Sequence, residues 1–201
     1  MIVKVCGLND PENCLAIDQL KPNMVGMIFY ATSPRYIDQM VLPPTKSAKV
    51  GVFVNASLND MLSVVQQHQL SYVQLHGQES VILAQSLKEN GIKVIKCFSI
   101  DKEIAIDKIR EWEPFCAYFL FDTKGKQLGG NGTKFNWKLL NNYTLKTPFL
   151  LSGGIAPTDV EALKKINNPA FVGVDINSKF ELAPGIKNIE QVKLFIDALK
   201  K

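Results

Sequence analysis

What most constrains this chain is a beat of short apolar runs separated by segments of helical period. Eight runs carrying Val, Ile, Phe or Tyr, at residues 2–6, 24–29, 49–54, 72–75, 93–98, 117–121, 148–151 and 171–175, are apolar on both pleat faces. A strand apolar on both faces is covered on both sides, as in a parallel sheet. Between the runs, residues 10–20 set Cys14, Ile17 and Leu20 on one helical face, and residues 59–67 set Leu62 and Val65. Residues 80–88 do so with Ile82, Leu83 and Leu87, residues 159–166 with Val160, Leu163 and Ile166, and residues 189–199 with Val192, Phe195 and Leu199. Asn9, Ser57 and Thr158 stand where N-caps belong, the last after Pro157.

Strand starts recur roughly every 22 to 24 residues, with one longer interval of about 31, near the length of a βαβ unit. Strict alternation of strand and helix predicts an α/β fold, and eight units predict a closed (β/α)8 TIM barrel. A doubly wound open sheet is the rival. It usually carries a GxGxxG after its first strand, where this chain has Cys6-Gly7-Leu8-Asn9. No linker-like stretch divides the 201 residues, so a single barrel domain over 1–201 is expected.

The net charge of +4 comes from scattered Lys and Arg, which suits a small anionic substrate better than nucleic acid. No apolar stretch approaches the roughly 18 residues of a membrane span, and Met1 leads straight into a strand-like run, so a cytoplasmic location is expected. Cys6, Cys14, Cys97 and Cys116 form no CxxC and have no His nearby at ligand spacing; zinc sites and redox dithiols are not expected.

In a barrel of this kind the chemistry sits at the C-terminal ends of the strands. Cys6 ends the first, with Lys4 on the same pleat face; Arg35 follows the second; Gln74 and His76 close the fourth. Asp122 ends the sixth, Ser152-Gly153-Gly154 follow the seventh, and Asp175 ends the eighth, ahead of Asn177-Ser178-Lys179. Each has a plain alternative taken alone. Cysteine at a strand end is often an apolar filler, aspartate a turn cap, Arg35 a solvated charge and His76 a satisfied core histidine. Their coincidence on one rim points to a site. Backbone N–H groups at Gly153 and Gly154, joined by N–H groups, a hydroxyl and a cation from Asn177-Ser178-Lys179 after strand eight, suit a phosphate. Residues 129–132, a third glycine cluster, read as a loop over the mouth.

These motifs together resemble the phosphoribosylanthranilate isomerase family. The likeness runs through Lys4-Val5-Cys6-Gly7, Ser33-Pro34-Arg35-Tyr36, Val73-Gln74-Leu75-His76-Gly77, Phe121-Asp122, Gly129-Gly130-Asn131-Gly132, Leu151-Ser152-Gly153-Gly154 and Pro184-Gly185-Ile186-Lys187, in order over nearly the whole chain. The resemblance implies an intramolecular oxidoreductase that works without cofactor. It would carry out the Amadori rearrangement of N-(5-phosphoribosyl)anthranilate to the 1-deoxyribulose 5-phosphate, the third step from chorismate in tryptophan biosynthesis. Cys6 would be its general base, with Lys4 favouring the thiolate where it lies close enough, Asp122 its general acid and Arg35 the partner of the anthranilate carboxylate. Gly130, Gly153, Gly154, Asp175, Asn177 and Ser178 would bind substrate, with Lys4 and His76 as further candidates and a monomer or homodimer as the assembly. Departures are local: Asn131, Asn177 and Lys179 replace residues more common in the family. Two rivals are the related isomerase of histidine biosynthesis, expected to carry a carboxylate where this chain has Cys6, and a non-catalytic barrel that binds a phosphorylated ligand.

Overall fold

The computed structural model describes residues 1–38, 40–123 and 134–200. Eight parallel strands close a barrel in chain order: β1 (Ile2–Val5), β2 (Met24–Phe29), β3 (Ala48–Phe53), β4 (Tyr72–Leu75), β5 (Lys93–Ile100), β6 (Cys116–Thr123), β7 (Phe149–Leu151) and β8 (Phe171–Ile176). The seam pairs β8 with β1, placing Lys4 opposite Asp175. All eight expected runs are strands. Cys6 lies just past β1, its N–H continuing the ladder to Ile176 O at 2.9 Å.

Among the described residues, five of the six α-helices follow the apolar spacing: α1 (Pro11–Gln19), α2 (Leu58–His68), α3 (Val81–Glu89), α5 (Val160–Lys164) and α6 (Ile189–Lys200). The sixth, α4 (Ile106–Arg110), is too short to show a period and buries only Ile109. Ser57 caps α2 as expected. Two other caps differ. Asp10, not Asn9, accepts the Asn13 N–H at 2.7 Å, because the extended backbone of the N-cap belongs to Asp10. Thr158 lies inside a 3₁₀ turn, Pro157–Asp159, whose start is closed by Ala156 N–H donating to Asp159 Oδ2 at 2.6 Å. Ile82 faces solvent at 73% exposure, because Ala84 and Leu87 already fill the inner face of α3.

The alternation is not strict. Among the described residues no helix joins β2 to β3, and a 3₁₀ turn, Trp137–Asn142, precedes β7. After β8 come a third 3₁₀ turn, Ser178–Phe180, and an unexpected hairpin of β9 (Glu181–Ala183) and β10 (Ile186–Lys187).

Period two along the strands sends residues alternately inward and outward. Inward, Met24, Val50, Ile95, Cys97, Leu120 and Leu150 plug the lower barrel, leaving the upper end to polar side chains. Outward, the wall packs on the helices, densest where Phe121, Tyr143 and Phe149 meet with ring centroids 5.0 to 5.3 Å apart. The Tyr143 hydroxyl is satisfied there by donating to Thr147 O at 2.6 Å. None of the described helices is long and apolar enough to cross a membrane.

Phe149 is fully buried at the centre of this triad. Phe149→Ala is expected to cost about 3–5 kcal/mol, a large part of the roughly 5–15 kcal/mol available to such a chain. Urea unfolding followed by circular dichroism checks this; a loss below about 1 kcal/mol would show that the triad is not a stabilising centre.

Candidate active site

A cavity opens at the C-terminal end of the strands. Cys6, His76, Asp122 and Asp175 line it, with Gly153, Gly154, Asn177 and Ser178 along one side.

Cys6 and Lys4 are both buried, on the same face of β1. Lys4 Nζ donates to Asp175 Oδ1 at 2.8 Å. Burial works against the Lys4 charge, but Asp175 and Cys6 beside it outweigh burial and hold the ammonium protonated. Gly26 on β2 makes the room: a Cβ there would lie 2.9 Å from Cys6 Sγ and 3.2 Å from Lys4 Nζ. Burial pushes the Cys6 thiol up, Lys4 pulls it partly back, and Asp175 adds to the rise. The expectation that Lys4 favours the thiolate therefore holds in sign, but desolvation is the larger effect.

Asp122 ends β6 with its two oxygens differently held. Oδ1 accepts the Thr123 N–H at 2.7 Å, while Oδ2 lies 3.5 Å from His76 Nε2. Gly153 packs against this carboxylate with φ +86°; a Cβ there would meet Thr123 Oγ1 at 2.4 Å and Asp122 Oδ1 at 2.7 Å, so only glycine fits both the fold and the space. His76 is set by Gln74, whose Nε2 is 2.9 Å from Nδ1. Burial opposes its charge, but Cys97 and Asp122 together hold its pKa well above the ordinary imidazole range. Cys97 Sγ is 3.9 Å from Nε2. The reading of the cysteines as far from any histidine thus holds along the chain but not in space: His76, Cys97 and Asp122, from three strands, bring ligand-type atoms within 4.8 Å of one another and are the group among the described residues suited to a metal ion.

Gly153 and Gly154 both have left-handed backbones, φ +86° and +67°. Among the described residues neither N–H has a protein acceptor, so both are free to meet an anion. Asn177 turns its Oδ1 to Lys187 Nζ at 2.7 Å. Lys179, expected to supply a cation, is exposed and does not line the cavity. Gly130, Asn131 and the rest of the 129–132 loop lie outside the described residues.

Arg35 follows β2 as expected and has a protein partner that the sequence did not show. It stands on the loop after β2, tied back by the Ile37 N–H donating to Ile28 O at 3.0 Å, but it is not among the cavity-lining residues. Its guanidinium grips Glu181 on the hairpin, with Nε 2.8 Å from Oε1 and Nη2 2.6 Å from Oε2. Glu181 and the role of the fully buried Lys187 were missed in the sequence, because a hairpin after the last barrel strand has no place in the strand-and-helix pattern.

A family model described as N-(5'phosphoribosyl)anthranilate (PRA) isomerase matches residues 3–198. A protein of that name from Parabacteroides distasonis is 41% identical, covering 99% of this chain and 93% of the relative; one from Petrotoga mobilis is 37% identical over 98% and 96%. The crystal structure of phosphoribosyl anthranilate isomerase from Thermotoga maritima superposes with a TM-score of 0.83 at 32% identity, covering 100% of this chain and 99% of that one. Another solved isomerase, in complex with reduced 1-(o-carboxyphenylamino)-1-deoxyribulose 5-phosphate, superposes at 0.80 with 30% identity over 100% and 99%. Sequence, barrel and relatives agree, and the chain belongs to the N-(5'-phosphoribosyl)anthranilate isomerase family.

Proposed function

We propose that this cavity carries out the family's Amadori rearrangement with Cys6 as general base and Asp122 as general acid. The observation that carries the reading is that both line one cavity, Cys6 with a lysine beside it and Asp122 with a histidine. Asp122 gives a proton to the furanose oxygen, and the C1′–O bond breaks to leave a Schiff base. Cys6 thiolate then takes the C2′ proton, and the resulting enolamine tautomerises to the ketone. His76, 3.5 Å from Asp122 Oδ2, orients the acid. The free N–H groups of Gly153 and Gly154, with Ser178, receive the phosphate, and Asp175 keeps Oδ2 for a sugar hydroxyl while Lys4 holds Oδ1. Arg35 receives the anthranilate carboxylate. The bound product analogue in a solved relative supports a phosphorylated ligand in a barrel of this shape. A cytoplasmic enzyme, as monomer or homodimer, completes the reading; a solved relative is described as monomers generated from a dimer.

The decisive experiment is the fluorescence decay of freshly made phosphoribosylanthranilate on adding purified protein. An unchanged decay at micromolar protein would defeat the proposal.

Cys6→Ser is expected to lose about 10² to 10⁴-fold in kcat with KM little changed, because a hydroxyl is a far weaker base than a thiolate. Cys14→Ser and Cys116→Ser, which lie away from the cavity, stay within a few-fold. Wild-type turnover in Cys6→Ser removes the thiol from the mechanism.

Asp122→Asn keeps shape and removes the proton donor. A loss of at least about 10²-fold in kcat is expected. Near-native turnover places the acid elsewhere.

The base must be deprotonated to act, so kcat/KM rises with pH through the Cys6 pKa, and burial sets that limb above the ordinary thiol value of about 8.5. Lys4→Met removes the charge that favours the thiolate and leaves Asp175 uncompensated; both effects push the limb further alkaline. An acid shift in that variant contradicts the assignment.

A further inference from the structure

Glu181 has no role in the chemistry above, yet its side chain is only 5% exposed and answers two cations. Its Oε1 accepts from Arg35 Nε at 2.8 Å, from Lys187 Nζ at 2.5 Å and from the Gly185 N–H at 3.1 Å, while Oε2 accepts from Arg35 Nη2 at 2.6 Å and Nε at 3.1 Å. A carboxylate gripped by the turn of its own hairpin and by Lys187 on β10 is fixed independently of Arg35.

A guanidinium has two edges that match a carboxylate, one formed by Nε and Nη2 and the other by Nη1 and Nη2. Glu181 fills the first. Among the described residues nothing bonds Nη1. The stem of Arg35 passes close to the turn after Cys6, its Cδ only 2.7 Å from where a Cβ of Gly7 would be. One edge is thus anchored, the stem is immobilised beside the catalytic thiol, and the second edge is open. Two cations against one carboxylate also leave one positive charge over, matching the single carboxylate of the anthranilate ring.

We infer that Glu181 is a positioning residue that sets specificity for a carboxylated aromatic ring: it holds the Nε–Nη2 edge of Arg35 so that the Nη1–Nη2 edge faces the substrate carboxylate. The inference rests on the reading that Arg35 receives that carboxylate. It differs from a competition in which the substrate displaces Glu181, because the other two donors hold Glu181 in place whether Arg35 is occupied or not.

The test compares the reduced product analogue bearing the 2-carboxyl group with its phenyl counterpart lacking it, titrated calorimetrically into wild type, Glu181→Gln and Arg35→Met. Glu181→Gln keeps the volume but loses the charge and one acceptor. It should weaken the carboxylated ligand about tenfold and the phenyl ligand by less than about twofold, as Arg35→Met also does. Equal weakening of both ligands by Glu181→Gln, with Arg35→Met still selective, overturns the inference alone. Equal weakening by Arg35→Met overturns the reading of Arg35 and the inference with it. A wild-type measurement needs no variant: the Arg35 Nε–H resonance, already held by Glu181, should persist on adding the carboxylated ligand. Its loss to solvent exchange would mean that the ligand displaces Glu181, which also overturns the inference.

Discussion

The Lys4–Asp175 pair is the constraint around which the upper barrel is arranged. Both are buried, and they face each other across the seam where β8 meets β1. A buried ion pair of this kind adds little net stability against an apolar pair, but removing one partner typically costs about 3–5 kcal/mol, because the other charge is left unanswered. The pair therefore acts more on arrangement than on stability. It fixes the register at which the barrel closes and places an ammonium beside Cys6. Asp175 also remains close to Ser152, whose Oγ lies 3.5 Å from Oδ2.

Below this level the barrel interior is apolar, and above it polar side chains join Ile28, Val52 and Val54, a change that follows from what each strand places at its inward positions. Inward positions that are Met24, Val50 and Leu150 low in the barrel give way to Cys6, His76 and Asp122 at the top. The plug of apolar side chains closes the floor of the cavity, and desolvation near that floor is what raises the Cys6 thiol. Lys4 and Lys187 near the thiol offset part of that rise.

How much of this was legible in the sequence depended on regularity. The strands were readable because a strand covered on both faces writes an uninterrupted apolar run, and Cys6, Asp122 and Asp175 were readable because they end such runs. The helix α4 was not, being too short to repeat its spacing. Asn9 was preferred to Asp10 as a cap because composition cannot tell which of two adjacent polar residues has the extended backbone. Glu181, and the role of Lys187 within its quoted motif, were invisible for another reason: their partners, Arg35 and Asn177, lie on other loops, and contacts across a barrel mouth leave no pattern along the chain. The same holds for the meeting of His76 with Cys97.

The packing of Gly153 on Asp122 has a consequence for how ligand length is measured. The glycine proposed to offer its N–H to the phosphate end has no room for a side chain against Asp122 Oδ1, the oxygen of the proposed acid that accepts the Thr123 N–H. On that proposal the two ends of the ligand are gauged by one piece of backbone. A sugar carrying its phosphate would bring the ring to the acid at a distance set by the loop, whereas a sugar without it would lack that ruler, so that the binding energy of a remote group is converted into placement at the reacting atoms.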